Sequence, residues 1–556
     1  MKKFSQIKYL APLFIAVVFV LGMLSGMWID RGRYALTPGQ KKLNELLTII
    51  DELYVDTVNV DSVIEKSLPG LLGTLDPHSV YIAAADREEV NSELEGSFGG
   101  IGIQFQVNND TVVVVEVIAN GPSEKAGVMA GDRIIEIDGK PFRVKDADTE
   151  VQKKLRGPKG SKVEITVLRQ HTRKPLKFSI TRGDIPLNSV DASYMADEQT
   201  GYVKVSRFAR NTYREFLTAL TDLHHAGAKD YIIDLRGNTG GFMETAILMV
   251  NEFLPERQTI VATHGRFAEN DEIVMSDGTG AFQDARVIVL IDEMSASSSE
   301  IFSGALQDND RGLIMGRRSF GKGLVQQQID MEDGSQVRLT VQRYHTPSGR
   351  CIQKQYKPGD NDSYEYEIFE RYRNGETLNA DSVKMNKDLI FTTANGRTVY
   401  GGGGIMPDVF VPNDTTGITG YYINVTNAGL QSKFSYEYAD LNRSQLNKAG
   451  DVQSLLKMLP SDGVLLSSFA NYAASNGVPT RWYYLNISSK LIVTQLKALI
   501  ARNILGMPAY YEVMNSIDNN VQTALKSLRD GQADFPIQSN QPTDKPAKGK
   551  SAKSKK

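Results

Sequence analysis

Twice in this chain a short apolar run leads into a turn of small residues and then into a helical pattern. YIIDL (231–235) is followed by RGNTGG and METAILMVNEFL, and VIVLIDE (287–293) by serine-rich SASSSE (295–300) and helical SEIFSGALQDN. Strand, turn and helix, repeated in that order, predict parallel βαβ units over about 187–411. In such sheets sites gather at the carboxyl ends of the strands. Both turns, 234–241 and 295–300, fall there.

The flanking segments read differently. Lys2, Lys3 and Lys8 precede an uncharged run, 10–29, closed by Asp30, Arg31 and Arg33. Twenty helical residues span about 30 Å, the thickness of a bilayer core. No small-residue cleavage site stands near Ser25 or Gly26 and no cysteine follows the run, which favours an uncleaved anchor over a removed signal. Basic residues flank both ends, so orientation rests on the short basic N-terminus staying in the cytoplasm. From 41 to about 90, Leu43, Leu46, Leu47, Ile50, Leu53 and Tyr54 make one apolar helical face, and a second helical stretch through Val63, Leu68 and Leu72 is expected to break at Pro69-Gly70. Short β runs punctuated by Gly, Asn and Asp, such as SFGGIGIQFQ, TVVVVEVI and LKFSIT, predict a small β module over about 97–184. After 417 the spacing is helical. From 540 a lysine-rich, low-complexity tail is expected to stay solvated.

The expected fold class is therefore α/β and β, in several domains. Its parts are a membrane anchor or signal (1–33), a helical segment (34–95), a β domain (96–184), an α/β core (185–415), a helical C-terminal region (416–535) and a basic tail (536–556). Among 556 residues, 41% are hydrophobic and the net charge is -3, which suits a globular protein and gives no pull toward nucleic acid. The single cysteine, Cys351, excludes an internal disulfide scaffold and a cysteine-rich metal site.

A helix beginning just after Ser297 would aim unpaired N–H groups and its positive end at that serine, as an oxyanion hole requires. The same Ser-x-x-Glu spacing to Glu300 is also plain helix capping. A serine nucleophile needs a base, and none of the six histidines sits in a triad motif. Lys322, in RRSFGKGLVQQQ (317–328), is the alternative, provided burial lowers its proton affinity from near 10.4. Gln326 lies four residues on, on the same face of a strand, and could orient the amine without holding it protonated. Gly316, Gly321 and Lys322 also fit G-x-x-x-x-G-K, but Gly323 replaces the required Ser or Thr, and LVQQQIDMEDGSQVRLTVQRY reads as hairpin strands rather than a helix. In 234–241, Gly241 can turn a second backbone N–H into the site, or simply serve a tight connection.

These motifs in this order (LDPHSVYI, the β module, DLRGNTGG, SASSSEIFSGALQD, RSFGKGLVQ, RYHTPSGRCIQ and GIMPDV) resemble the carboxy-terminal processing peptidases, or tail-specific proteases. The resemblance covers roughly 43–411. It implies a PDZ domain followed by an α/β (ClpP/crotonase-like) Ser–Lys core. Its nucleophile maps to Ser297, its base to Lys322, the lysine-orienting glutamine to Gln326, and the oxyanion amides to Gly241 and Ser298. Two departures stand out: Ser298 replaces the usual alanine and Thr239 a common proline. Gly100, Ile101, Gly102 and Ile103 fit the loop that binds a peptide's terminal carboxylate while the peptide adds as a strand. The resemblance implies a serine endopeptidase that needs no metal or cofactor. Its partners would be protein or peptide substrates with accessible C-termini, and a membrane through the N-terminal helix, with no nucleic acid and with oligomerisation left open. The expected place is the bacterial inner membrane, single-pass, with the catalytic part in the periplasm. The alternative function is a non-catalytic PDZ scaffold.

Overall fold

The structure, a computed structural model, describes residues 36–534 apart from 109, 119, 144–147, 170, 171, 173 and 385, together with helical positions 16, 18 and 19. Most of the expected anchor, and the tail from 536, lie outside the described residues. Among the described residues no helix is long and apolar enough to cross a membrane.

The chain divides into two compact units, Met1–Leu72 and Gly73–Lys556. The first holds the helix Pro38–Leu53, opened by a capping box in which Thr37 Oγ1 accepts from Gln40 N and Gln40 Oε1 accepts from Thr37 N. Leu43, Leu46 and Leu53 on its apolar face are exposed. The next helix, Val60–Gly73, runs through Pro69 instead of breaking there. It ends four residues later, so the proline disturbs only a final turn that was about to stop.

In the second unit, strands Ile103–Asn108, Thr111–Val117, Arg133–Ile137, Lys162–Leu168 and Leu176–Thr181 form an antiparallel sheet that also takes in Lys140–Pro141. It closes with the helix Asp148–Leu155 over Val114, Ile134, Val151, Val163 and Val167. A two-stranded ribbon, Ser97–Gly100 with Gly183–Pro186, joins the entry and exit of this module.

Beyond this module the unit is built on a six-stranded sheet: β1 (Val190–Met195), β2 (Thr200–Val205), β3 (Asp230–Asp234), β4 (Arg286–Ile291), β5 (Leu313–Gly316) and β6 (Val409–Phe410), in that spatial order. Only the β1–β2 pair is antiparallel. Parallel strands buried on both faces read as continuous apolar runs, and β3 and β4 do. Val203, Tyr231, Ile233, Val289 and Ile314 meet helices Thr212–His225, Met243–Asn251 and α1 (Ser298–Asp308) on one face. Tyr202, Ile232, Ile288, Leu290 and Met315 meet Val521, Ala524, Leu525 and Leu528 of the last helix on the other. A second sheet carries the hairpin Leu324–Asp330/Gln336–His345, with Val80–Ile82 and Thr259–Gly265 paired to its long strand. A strand, not a helix, therefore follows Lys322, and the phosphate-loop reading fails on structure as well as on sequence.

Past Gln353 the chain makes helix α2 (Asn361–Arg373) before returning to β6. The C-terminal helices have their own core around Val425, Leu455, Phe469, Leu485 and Leu496. The last of them, α3 (Asn519–Arg529), leaves that bundle and forms the second helical layer on the central sheet.

Candidate active site

Ser297 stands between β4 and α1 with φ 55° and ψ -114°. Non-glycine residues rarely hold such a conformation, which costs on the order of 1–3 kcal/mol and is tolerated where the surroundings enforce it. Its neighbours show what enforces it. Ser295 Oγ donates to Leu235 O at 2.9 Å, Ser298 Oγ to Gly241 O at 2.9 Å and Ser299 Oγ to Asn238 O at 2.8 Å. All three are essentially fully buried. Ser297 is half-buried, and no carbonyl among the described residues takes its hydroxyl proton. Of the four serines, it alone has a hydroxyl that donates to no carbonyl among those residues.

Gly241 lies against Phe208 in a parallel bridge that uses Gly240 O and Phe242 N, accepting from Phe208 N at 3.0 Å and donating to Phe208 O at 2.7 Å. The Gly241 N–H takes no part in that pairing. At φ 149°, a Cβ on Gly241 would stand 2.1 Å from Phe208 O, so no other residue fits. Ser298 is the first residue of α1, where the N–H has no partner within the helix. A Cβ on Gly240 would lie 2.7 Å from Ser297 Cβ and 3.1 Å from Ser298 N, so the glycine turn and the head of α1 touch. The two expected oxyanion donors thus flank Ser297.

Lys322 reaches the same place through Glu300. The Glu300 carboxylate is fully buried. Its Oε2 accepts from Ser297 N at 2.9 Å and Lys322 N at 2.8 Å, and its Oε1 from Ser319 Oγ at 2.5 Å and Gly321 N at 2.7 Å. Burial pushes its carboxyl up to about 7 against the pull of those four donors. The Tyr344 hydroxyl makes a second bridge, to Ser297 O at 3.1 Å and Lys322 O at 2.6 Å. One carboxylate and one phenol therefore set the register of serine turn and lysine loop. Ser297 Oγ and Lys322 Nζ are not hydrogen-bonded to each other.

The lysine amine donates to Gln326 Oε1 at 3.1 Å, and Gln326 Nε2 donates in turn to His78 O. Burial, helped by the charge of Arg338, lowers the Lys322 proton affinity, with Glu300 and Asp76 working the other way. His78 is kept neutral: burial first, then Lys322, takes it down to about 3. Its ring bonds the Tyr364 hydroxyl of α2 at 2.8 Å. The turn that presents His78 is capped by Asp76, which accepts from His78 N, Ser79 N and Ser79 Oγ. Gly321, at φ 93°, lets the lysine loop pass against Gly404 N and Lys354 Cβ, each 3.1 Å from where its Cβ would be. The glycine serves close backbone approach.

Sequence reading missed Asp76, His78, Tyr344 and Tyr364, and saw in Glu300 only a helix cap. The first two lie in LDPHSVYI, a motif of the resemblance to which the sequence alone assigns no role.

The expected peptide loop begins where the Ser97–Gly100 ribbon ends. Ile101 O accepts from Ser123 N at 2.9 Å and Gly102 O from Ile118 N at 3.1 Å. Each planar trans peptide then points its N–H, those of Gly102 and Ile103, to the opposite side. Among the described residues no cluster of three or more His, Cys, Asp or Glu could hold a metal ion.

Residues 199–361 match peptidase family S41, 99–180 a PDZ domain, and 421–506 a family of unknown function. The carboxy-terminal-processing protease of Bartonella bacilliformis is 37% identical over 305 residues, 54% of this chain and 69% of that protein. The chain belongs to the carboxy-terminal processing proteases. The carboxyl-terminal-processing protease of Synechocystis sp. is 33% identical over 333 residues, 59% of this chain and 73% of that protein. Among solved structures, a photosystem II D1 C-terminal processing protease covers 68% of this chain and 94% of its own at 24% identity, with a TM-score of 0.33. The processing protease described here is a serine endopeptidase with a PDZ domain and an S41 core. Its S41 match ends at 361, so most of α2 and all of the C-terminal helices lie outside it.

Proposed function

We propose that this protease cleaves proteins by a Ser–Lys mechanism and selects them by their C-termini. The carrying observation is that Ser297 is the one serine of its turn whose hydroxyl donates to no carbonyl among the described residues, held in a strained backbone beside the amides of Gly241 and Ser298. Ser297 Oγ attacks the scissile carbonyl while neutral Lys322 Nζ takes the hydroxyl proton. The amides of Gly241 and Ser298 stabilise the developing oxyanion. Lys322 then gives its proton to the leaving amine, and a water, deprotonated by the same amine, hydrolyses the acyl-enzyme. Gln326 orients the amine without offering it a negative charge. The outward N–H groups of Gly102 and Ile103 bind a peptide's terminal carboxylate, with the peptide lying along strand Ile103–Asn108.

The uncharged N-terminal run supports placing the chain in the bacterial inner membrane, with the catalytic part in the periplasm and envelope proteins as substrates. The deciding experiment incubates full-length protein in detergent with an unfolded protein bearing either an apolar or a charged C-terminal tail. Wild type should cleave the first, and Ser297→Ala and Lys322→Ala neither. Full activity in either variant, with the fold intact, removes the mechanism. Equal cleavage of both tails removes the C-terminal selection.

A further inference from the structure

Arg236 sits five residues before Gly241, in the turn that carries the proposed oxyanion donor, and two carboxylates hold its guanidinium. Asp234 takes Nε at 3.0 and 3.1 Å and Nη2 at 2.6 Å; Asp518 takes Nη1 at 3.1 and 2.9 Å. Asp234 belongs to β3. Asp518 comes from the far end of the chain, beyond both the S41 match and the helical match at 421–506. It is also the cap of α3, where its Oδ1 accepts from Asn520 N at 2.9 Å and Val521 N at 3.1 Å. Because α3 is pinned to the sheet through Val521, Ala524, Leu525 and Leu528, Asp518 is a fixed post rather than a mobile surface charge.

The inner side of the turn is packed. Asn238 Nδ2 donates to Val205 O at 3.1 Å, and Asn238 Oδ1 accepts from Gly240 N at 2.9 Å. The outer side is not. Arg236, Gly237 and Asp518 line a cleft of about 580 Å³ that runs under the C-terminal helices. There the turn is held by polar contacts: the Arg236–Asp518 pair, Lys204 Nζ donating to Arg236 O, and Gly237 N donating to Asp292 Oδ1 at 2.9 Å.

We propose that Asp518 is a positioning residue for the oxyanion turn, so that the C-terminal segment completes the active site rather than merely extending the protein. The proposal rests on the reading of Gly241 as an oxyanion donor. Acyl transfer is sensitive to displacements of that donor that leave substrate binding untouched, since the oxyanion exists only after attack.

Two variants separate this role from helix capping. Asp518→Ser restores a cap but cannot reach Arg236, and Asp518→Asn keeps a capping oxygen but loses the charge. With full-length enzyme and a quenched fluorescent peptide, both should lower kcat about tenfold with KM within about twofold. Affinity for a peptide aldehyde, whose adduct with Ser297 carries an oxyanion, should fall by the same factor. Unchanged kcat per titrated site in both variants overturns the proposal, as does a loss that follows only the fraction of unfolded protein. Ser297→Ala is measured alongside. If it stays active, the Ser–Lys reading falls. If it is dead while both Asp518 variants turn over like wild type, only the role of Asp518 falls.

Discussion

The two halves of the site are built by opposite strategies. The serine half, turns 234–241 and 295–300, is local. It caps two adjacent parallel strands, and its inner hydrogen bonds run between those turns and the strand ends, as in Ser295 to Leu235, Ser299 to Asn238 and Ala296 N to Asn238 O. The lysine half is remote. Its loop is positioned by Glu300 from α1, His78 from near the start of the unit, Tyr344 from the long hairpin strand, and Arg371 of α2, which donates to Ser319 O at 2.7 Å and Phe320 O at 3.0 Å. A nucleophile needs a rigid turn, which a sheet edge supplies. A neutral lysine needs desolvation strong enough to outweigh nearby carboxylates such as Glu300 and Asp76, and a convergence of distant segments provides it. Substitutions in the lysine half should therefore be the more informative, starting with the proposed base, Lys322. Lys322→Met should cut kcat by about 10⁶-fold, as loss of the proton acceptor does in a serine peptidase, while leaving thermal unfolding unchanged. Turnover above a tenth of wild type would make some other group the base.

Glu300 is where the two halves meet, and Glu300→Gln tests whether they are truly coupled. Four donors converge on a carboxylate, and an amide has one acceptor oxygen, so either the Ser297/Lys322 pair or the Ser319/Gly321 pair must face an N–H₂ group. An unmet buried donor costs about 1–3 kcal/mol. We expect kcat per titrated site to fall about a hundredfold, with a lower Tm. A lower Tm with unchanged kcat would mean that Glu300 stabilises the fold but does not register the two turns.

Gln326 sharpens the contrast further. The kcat/KM of wild type should rise with pH as Lys322 loses its proton, with a midpoint below the ordinary lysine value of about 10.4. Gln326→Glu puts an anion opposite the amine and favours the ammonium form. The midpoint should then rise by about 1–3 units, so that activity at pH 7 falls about tenfold or more and recovers in alkali. An unshifted pH profile would show that Lys322 is not the group titrating.

How far the sequence alone could be read follows the same division. β3 and β4, their turns, and Ser297 were legible because period, small residues and cap spacing are all contained within about twenty residues. Lys322 is reached in the sequence only by elimination of histidine and through the resemblance. Glu300 was legible as a cap but not as a bridge, because nothing local says that Gly321 N and Lys322 N will arrive at the same carboxylate. The task of His78, which offers a backbone carbonyl to Gln326, leaves no trace in side-chain type. Pro69 was overread, since a helix-breaking residue in a last turn breaks nothing. The link between Asp518 and Arg236 spans 282 positions, beyond any pattern of spacing.

The smallest expected effect lies in the serine half, at a departure from the family pattern. Ser298 stands where alanine is usual, and its amide would serve equally well with either side chain. The structure gives the hydroxyl a task of its own, a 2.9 Å bond to Gly241 O. That bond ties together the two residues whose amides are proposed to hold the oxyanion. Ser298→Ala removes it without adding bulk or strain, so the fold should be kept. One ordinary hydrogen bond contributes about 0.5–1.5 kcal/mol net, and kcat should drop by about two- to tenfold at constant KM. Because the hydroxyl holds a carbonyl and does not itself donate to substrate, affinity for a peptide aldehyde should weaken in step with kcat, and the pH profile set by Lys322 should not move. A shifted profile would place Ser298 in the proton path. An unchanged kcat would show that Phe208, which already holds the peptides on either side of Gly241, is enough to fix the donor.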